Sequence, residues 1–203
     1  MTTAKDLFII AMDPQPDRSV GQGDLSLALA GAELIDLIGV GAVTVDGDRI
    51  VPGPPPPVPA EDRLLGEAAA ALVDEAPYER VEDWLWRRGS DLAAAYQATL
   101  EAEGQLTPRR DGRSPFGTER VELVDSPDRR RALLRREADE PVLAALAAAV
   151  GVEGEHAEDG PSPEDEAVTT VLAVVNDAVM ELEAVRQRRS VEKAAFANLW
   201  RGP

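Results

Sequence analysis

The fold of this chain depends on one stretch of sequence, Asp24-Leu25-Ser26-Leu27-Ala28-Leu29-Ala30-Gly31-Ala32-Glu33-Leu34-Ile35-Asp36-Leu37. Asp24 is a residue type that caps helix N-termini, and Gly39 and Gly41 are typical of a helix end, so we predict a helix from Asp24 to about Ile38. The middle of this helix consists of alanine and glycine, which leave little side-chain bulk on its surface. We therefore expect another helix to pack very closely against it.

The flanking residues predict a helix before this stretch and a hairpin after it. The first helix covers roughly Ala4–Met12, with Thr3 and Asp6 as a capping pair. Apolar β-formers surround Asp46-Gly47 in residues 42–51, which predicts a two-residue hairpin turn with positive φ at both positions. The opening of the chain is therefore helix, helix, hairpin.

The remainder of the sequence is helical almost throughout. The predicted helices are Glu61–Val73, Val81–Arg88, Asp91–Glu103, Asp128–Val150 (which Pro141 can break), Pro163–Gln187 and Val191–Trp200. A second hairpin is predicted from Gln105-Leu106 and Arg120–Val124, with residues 107–119 as its loop. We expect Val81, Trp84 and Leu85 to share a core face, with Trp86 partly exposed.

These elements predict a mainly α fold with one domain over residues 1–203. Its core is a central helical bundle with peripheral helices, and two small β-hairpins are attached. A proline-rich connector occupies residues 52–59. The acidic, Gly- and Pro-containing residues 153–165 predict a mobile loop.

Composition narrows the functional classes. The chain has 203 residues, 38 acidic and 21 basic, with a net charge of -17 and no cysteine. Nucleic-acid binding needs a basic face, so this charge argues against it. We find no signal-peptide core and no apolar run near the ~20 residues that span a bilayer, and we expect a cytoplasmic protein. The Arg, Ala, Gly and Pro bias indicates a bacterial genome of high GC content.

The sequence gives little support for catalysis, a metal or a cofactor. The single histidine, His156, has no cysteine or second histidine near it. Gly21-Gln22-Gly23 lacks the third glycine and the preceding strand of a dinucleotide fingerprint. Acidic pairs are common in so acidic a chain and identify no catalytic carboxylate. We therefore predict no catalytic residues, no metal and no cofactor, with an unrecognised enzyme as the minor alternative.

A helix, a helix and a hairpin can also form half of a winged helix, which would bind DNA. That motif needs cationic contacts to phosphate. Residues 1–62 contain only Lys5, Arg18 and Arg49 against ten acids. We therefore interpret the apolar faces of these helices as core and predict no nucleic-acid partner.

Arginine is concentrated in residues 87–136, which contain eleven arginines and eight acids. Arg109, Arg110 and Arg113 lie in one loop, which can meet an anionic lipid surface at about 1 kcal/mol per cation. The alternative is that these arginines pair with the chain's own acids. The five arginines between 129 and 136 are spaced around a helix, and we expect most of them to be solvated.

The order of these features resembles the Golgi phosphoprotein 3 family. Besides the opening block, the resemblance rests on residues 63–67, 80–85 and 96–106 and covers roughly residues 5–125. The family resemblance implies a mainly helical fold, no catalysis, a hairpin that mediates oligomer contacts, and a peripheral membrane adaptor that reads phosphatidylinositol 4-phosphate. In the family's eukaryotic pattern, a Trp and three Arg bind the lipid. The matching positions here are Gly21, Ala30, Ala93 and Ala95, none of which can bind a phosphate by its side chain.

We therefore expect a non-enzymatic adaptor-type protein that lacks the family's lipid-binding residues. It is expected in the cytoplasm, at the inner face of the membrane, with an anionic membrane surface, a protein partner or a second copy as partners. From charge alone, we assign lipid contact to Arg87, Arg88, Arg109, Arg110 and Arg113. The alternative is an oligomeric protein-interaction scaffold that binds no lipid.

Overall fold

A computed structural model describes residues 2–13, 20–54, 62–109, 120–152 and 165–199. For residues 108, 109, 120 and 194–199 it describes the backbone only. Within these ranges lie eight helices and four strands: α1 Thr3–Met12, α2 Gln22–Gly39, β1 Val43–Asp46, β2 Arg49–Pro52, α3 Arg63–Ala70, α4 Val81–Arg88, α5 Leu92–Ala102, β3 Leu106–Arg109, β4 Arg120–Leu123, α6 Pro127–Glu137, α7 Pro141–Ala149 and α8 Glu166–Leu199. The mainly α fold with two small antiparallel hairpins is confirmed.

Helix α2 is the centre of the fold. It packs against α1, α3, α4, α5, α7 and α8. Its residues from Leu25 to Ile35 are buried without interruption, so every face of the helix is covered by a neighbour. The indole of Trp84 in α4 donates a hydrogen bond of 3.1 Å to the carbonyl of Ala30. Val81, Trp84 and Leu85 are fully buried and Trp86 is 39% exposed, as predicted.

Helix α8 makes the close approach that the small residues of α2 predict. A Cβ atom added to Gly31 would lie 2.3 Å from Cγ2 of Val175. No real Cβ tolerates that distance, so glycine is required at the crossing. Since Val175 is β-branched, its χ1 angle is stiff within a helix and the side chain has little freedom to move aside.

The N-terminal caps differ from the prediction. Thr2, one residue earlier than expected, caps α1 through a 3.4 Å bond from the N–H of Lys5. Asp6 is 1% exposed and pairs with arginines of α6 instead of capping. The predicted pair of Thr3 and Asp6 is therefore wrong, because long-range ion pairing takes the carboxylate away from the helix terminus.

Asp36 of α2 supplies a second cap to α1. Its carboxylate accepts hydrogen bonds from the backbone N–H groups of Thr3, at 2.9 Å, and Ala4, at 3.1 Å. Burial raises the pKa of Asp36 from an ordinary 3.8 to about 6, although these two donors favour the charged form. The central helix therefore fixes the N-terminus of α1 through a carboxylate that is costly to ionise.

Helix α2 itself begins two residues earlier than predicted. Gly21 is its N-cap and forms no side-chain cap. Asp24 lies inside the first turn and accepts a 2.7 Å bond from Arg186 of α8. The expectation that Asp24 caps α2 is wrong, because the carboxylate fastens α8 to the start of α2.

The turn of the first hairpin is shifted by one residue. Asp46 pairs with Arg49 as the last strand residues, so Gly47 and Asp48 form the turn. Of these two turn residues, only Gly47 has a positive φ, at 61°. The second hairpin pairs Leu106 with Leu123, so its position is confirmed, but β3 continues to Arg109 and takes three residues of the predicted loop 107–119. Residues 55–59 of the connector and 153–164 of the acidic segment lie outside the described residues.

Two helix boundaries also differ from the sequence prediction. The predicted helix 128–150 is divided into α6 and α7, where Asp139 has a φ of 47° and Pro141 begins α7. The two predicted C-terminal helices form one continuous helix, α8, because no proline or glycine occurs between Glu166 and Leu199. Among the described helices, none combines the length and apolarity needed to cross a bilayer.

Gly31→Ala is expected to lower the free energy of unfolding by about 1–3 kcal/mol, because the added methyl overpacks the contact with Val175. The matched control is Gly66→Ala in α3, where nothing lies near an added Cβ. This control is expected to gain up to about 1 kcal/mol from helix propensity. Urea denaturation measures both. The double variant with Val175→Ala should lose less stability than the sum of the single variants, and simple additivity would contradict the contact.

Asp36→Asn is expected to remove a pH dependence from the folded state. Since the folded pKa of Asp36 is raised, its contribution to stability is full below about pH 4 and is lost as the pH rises through about 6. The stability of the variant minus that of the wild type should therefore increase by up to about 3 kcal/mol between about pH 4 and pH 7. Denaturation at several pH values checks this, and a constant difference would contradict it.

Candidate functional site

Of the five arginines predicted to contact lipid, the structure describes the side chains of two. Arg87 and Arg88 form the last turn of α4. Arg109 ends β3, and its side chain is not described. Arg110 and Arg113 lie outside the described residues. The structure therefore shows the surroundings of the two arginines of α4 only, and lipid contact by any of the five arginines stays a prediction.

Arg88 belongs to a buried ion pair. Its Nε and Nη2 atoms donate to the two carboxylate oxygens of Glu33 in α2, at 2.7 and 3.0 Å. Nη2 also donates to the carbonyl of Leu64 in α3, at 3.1 Å. The Arg88 side chain is 15% exposed and Glu33 is fully buried. This bidentate geometry joins α2, α3 and α4 and leaves Arg88 little freedom to meet a headgroup.

Glu33 gains a third partner from α5. The Tyr96 hydroxyl donates to Oε1 of Glu33 at 3.2 Å, and the Tyr96 ring stacks on Phe8 with centroids 5.9 Å apart. Burial raises the pKa of Glu33, and the guanidinium of Arg88 opposes that shift. Burial also raises the pKa of Tyr96, with the Glu33 charge as a further cause. The network is therefore a satisfied polar centre inside the helical core.

Arg87 is more exposed but is also held by the chain's own groups. Its Nε and Nη2 atoms each donate to the Glu79 carboxylate at 2.7 Å, and Nη2 donates to the carbonyl of Ala71 at 3.0 Å. The guanidinium lies 5.2 Å from the centroid of the Trp84 ring. Arg87 thus fastens the segment between α3 and α4. It is 45% exposed, so an anion can approach it only beside its existing pair.

The arginines of α6 are mostly paired, and the expectation that they are solvated is wrong. Arg129 binds Asp13 at 2.7 Å, and Asp6 accepts from Arg131 at 2.5 Å and from Arg135 at 2.6 Å. These contacts fasten α6 to α1, because the carboxylates of α1 face that helix. Arg130 alone among the α6 pairs is weakly held, 3.7 Å from Asp125.

Pairing is the general state of the described cations. Eleven of the fifteen described Lys and Arg side chains lie within 4.0 Å of a carboxylate, at positions 5, 49, 63, 80, 87, 88, 129, 130, 131, 135 and 186. The described cations without such a partner are Arg136, Arg188, Arg189 and Lys193. Sequence analysis overlooked the last three, although they occur within six residues that contain one acid.

Of the four positions aligned with the family's lipid site, Gly21 and Ala30 lie at the start and in the middle of α2, and Ala93 and Ala95 lie in α5. Ala30 is fully buried and Ala93 is 3% exposed. The N–H of Ala93 donates to the Ser26 hydroxyl at 3.0 Å, which joins α5 to α2. Gly21 is the α2 N-cap, close to the Arg186 side chain. Ala30 and Ala93 therefore lie where helices pack closely, and neither position supplies a cationic side chain.

Metal chemistry has no support in the part of the chain that the structure describes. None of its His, Cys, Asp and Glu side chains form a group of three or more that could hold a metal ion. The carboxylates that do converge, around α1 and α6, are neutralised by Lys and Arg. Those carboxylates therefore hold helices together.

Comparison with known protein families assigns the chain to a family. The model of that family, described as Golgi phosphoprotein 3 (GPP34), matches residues 4–193. No curated protein matches the sequence. The match runs from α1 to Lys193 in α8. It therefore extends the resemblance, which rests on residues 5–125, through the C-terminal helices.

Arg88→Met is expected to lower the free energy of unfolding at neutral pH by about 3–5 kcal/mol, because it leaves the Glu33 carboxylate buried and unpaired. Arg87→Met, the matched control one residue earlier, removes an exposed pair and should cost about 0–1 kcal/mol. Urea denaturation compares the two variants. Equal losses would show that Arg88 has no special structural role.

Proposed function

Because the chain belongs to the Golgi phosphoprotein 3 family, we propose that it is a non-enzymatic, adaptor-type protein that associates peripherally with an anionic membrane surface. We place it in the cytoplasm, at the inner face of the membrane. The observation that carries this proposal is the family match over residues 4–193, on a mainly helical fold with the family's opening order of helix, helix and hairpin.

We propose that this contact depends on charge and not on a phosphoinositide pocket. The positions aligned with the family's lipid residues are Gly21, Ala30, Ala93 and Ala95, and Ala30 and Ala93 are buried in helix packing. A phosphate monoester needs Lys, Arg or organised N–H donors around it. Ala30 and Ala93 are small, buried and uncharged, and Gly21 and Ala95 carry no cation, which supports loss of headgroup selectivity.

Among the five arginines assigned from charge, the better lipid contacts are Arg109, the last residue of β3, and Arg110 and Arg113, which follow it in sequence. The bidentate pair with Glu33 favours a structural role for Arg88, and the pair with Glu79 leaves Arg87 an auxiliary role. The loop follows β3 of the second hairpin. A cationic hairpin loop can reach a surface without the acidic body having to touch it.

The second candidate is an oligomeric protein-interaction scaffold that binds no lipid. The pairing of eleven described cations with the chain's own acids favours it, because an acidic surface with few free cations is repelled by anionic lipid. In this case the second hairpin is the candidate contact between copies. Analytical ultracentrifugation of the pure protein tests for the assembly.

Vesicle co-sedimentation tests the membrane proposal. Vesicles of phosphatidylcholine alone, with phosphatidylserine, and with phosphatidylinositol 4-phosphate at equal total charge are compared at low and moderate salt. We expect binding to both anionic compositions, no preference between them, and weakening with salt because the contact is exposed. Neutral vesicles should not bind.

Reversing the loop charges with Arg109→Glu, Arg110→Glu and Arg113→Glu should weaken vesicle binding by roughly a hundredfold or more, at about 1 kcal/mol per cation. The matched control, Arg63→Glu, Arg130→Glu and Arg136→Glu, changes the net charge equally on other faces. Absence of binding by the wild type at low salt would refute the membrane proposal. Selective binding to the phosphoinositide would refute the charge-only contact.

A further inference from the structure

The outer end of α8 projects beyond the helices that hold the rest of this helix. Leu182 still packs against the core, and Arg186 makes the 2.7 Å pair with Asp24. After that pair, each residue from Gln187 to Lys193 is exposed, including Val191 at 68%. The helix continues to Leu199. At 1.5 Å per residue, the thirteen residues 187–199 extend about 20 Å.

This outer end of α8, residues 187–199, carries most of the unpaired positive charge of the described chain. Three of the four described cations without a carboxylate partner are Arg188, Arg189 and Lys193. Glu192 is the one acid in the segment. A chain with a net charge of -17 thus pairs eleven of its fifteen described cations internally and leaves three of the remaining four together on one exposed helix.

The sequence of this segment is cationic and apolar together. Val191 is exposed beside the cations, and Ala194, Ala195, Phe196, Ala197 and Leu199 follow in the same helix. Exposed Lys and Arg side chains are attracted to the anionic headgroups of a membrane surface. Each cation near such a surface contributes about 1 kcal/mol.

We infer that the outer end of α8 binds the anionic lipid surface through Arg188, Arg189 and Lys193. This inference rests on the proposed function and adds a second cationic contact to that of residues 109–113. Charge complementarity supports an anionic lipid surface as the occupant, and the exposed apolar side chain of Val191, between Arg189 and Lys193, favours lipid over the acidic surface of a second copy.

The projection also explains how an acidic protein can approach an acidic membrane. Exposed charges are screened over a Debye length of about 8 Å at physiological salt. Lys193 lies seven residues, or about 10 Å along the helix, past the last ion pair of α8 with α2. At this position the repulsion between the acidic body and the membrane is already screened, so Lys193 can reach the headgroups.

The test uses the full chain and the triple variant Arg188→Gln, Arg189→Gln and Lys193→Gln. Glutamine removes the charge and keeps a high helix propensity. The matched control is Arg63→Gln, Arg130→Gln and Arg136→Gln, which changes net charge equally on α3 and α6. Co-sedimentation with phosphatidylcholine vesicles containing phosphatidylserine is measured at low salt, with circular dichroism to confirm helix content and sedimentation velocity to give the oligomeric state.

We expect the α8 variant to bind roughly a hundredfold more weakly than the wild type and the control variant to bind like the wild type. Equal binding by the α8 variant and the wild type would overturn this inference and leave the proposed function intact. Absence of wild-type binding would overturn both. A wild-type oligomer that the α8 variant dissociates, without vesicle binding, would overturn the lipid contact and identify a second copy as the occupant.

Discussion

The close crossing of α2 and α8 at Gly31 is the constraint on which the rest of the structure depends. Because α8 approaches to a distance that excludes even a methyl group, α2 is covered on that side, and its remaining faces are closed by five other helices. A helix enclosed in this way can keep a charged residue only if a partner reaches it. Glu33 meets that requirement through Arg88 and Tyr96, so the central helix also determines how α4 and α5 are placed.

Ion pairs do much of the work of assembly in this acidic chain. Asp6 binds two arginines of α6 and Asp24 binds Arg186 of α8, while Asp36 fixes the start of α1 by accepting hydrogen bonds from its backbone N–H groups. Each pair joins elements that are distant in sequence. Cations paired in this way are neutralised, so the few described cations without a carboxylate partner are the ones that can meet an external anion. The concentration of three of them on the outer end of α8 is therefore more telling than the larger arginine count of residues 87–136.

The family fold and the family's lipid chemistry need not persist together. The helical framework depends on buried packing, which alanine and glycine at Ala30 and Gly31 satisfy. A headgroup pocket depends on exposed cations, which the chain does not place at Ala30 or Ala93. A membrane contact built on a projecting helix would need neither pocket nor shape complementarity. It would respond to membrane charge and salt, where a headgroup pocket responds to lipid identity.

The sequence alone determined the helical class, both hairpins, the burial of Trp84 and the close contact at Gly31, because periodicity, turn residues and small side chains act locally. Tertiary structure decided the rest. Asp6 and Asp24, which the sequence predicts as helix caps, pair with arginines instead: Asp6 with Arg131 and Arg135, and Asp24 with Arg186. A carboxylate gains more free energy from a nearby cation than from the N–H groups of a helix terminus. The partner of Arg88 lies 55 residues away, and Asp6 and Arg135 are 129 apart. No local pattern encodes such pairs, because chain folding, not spacing, brings the two charges together.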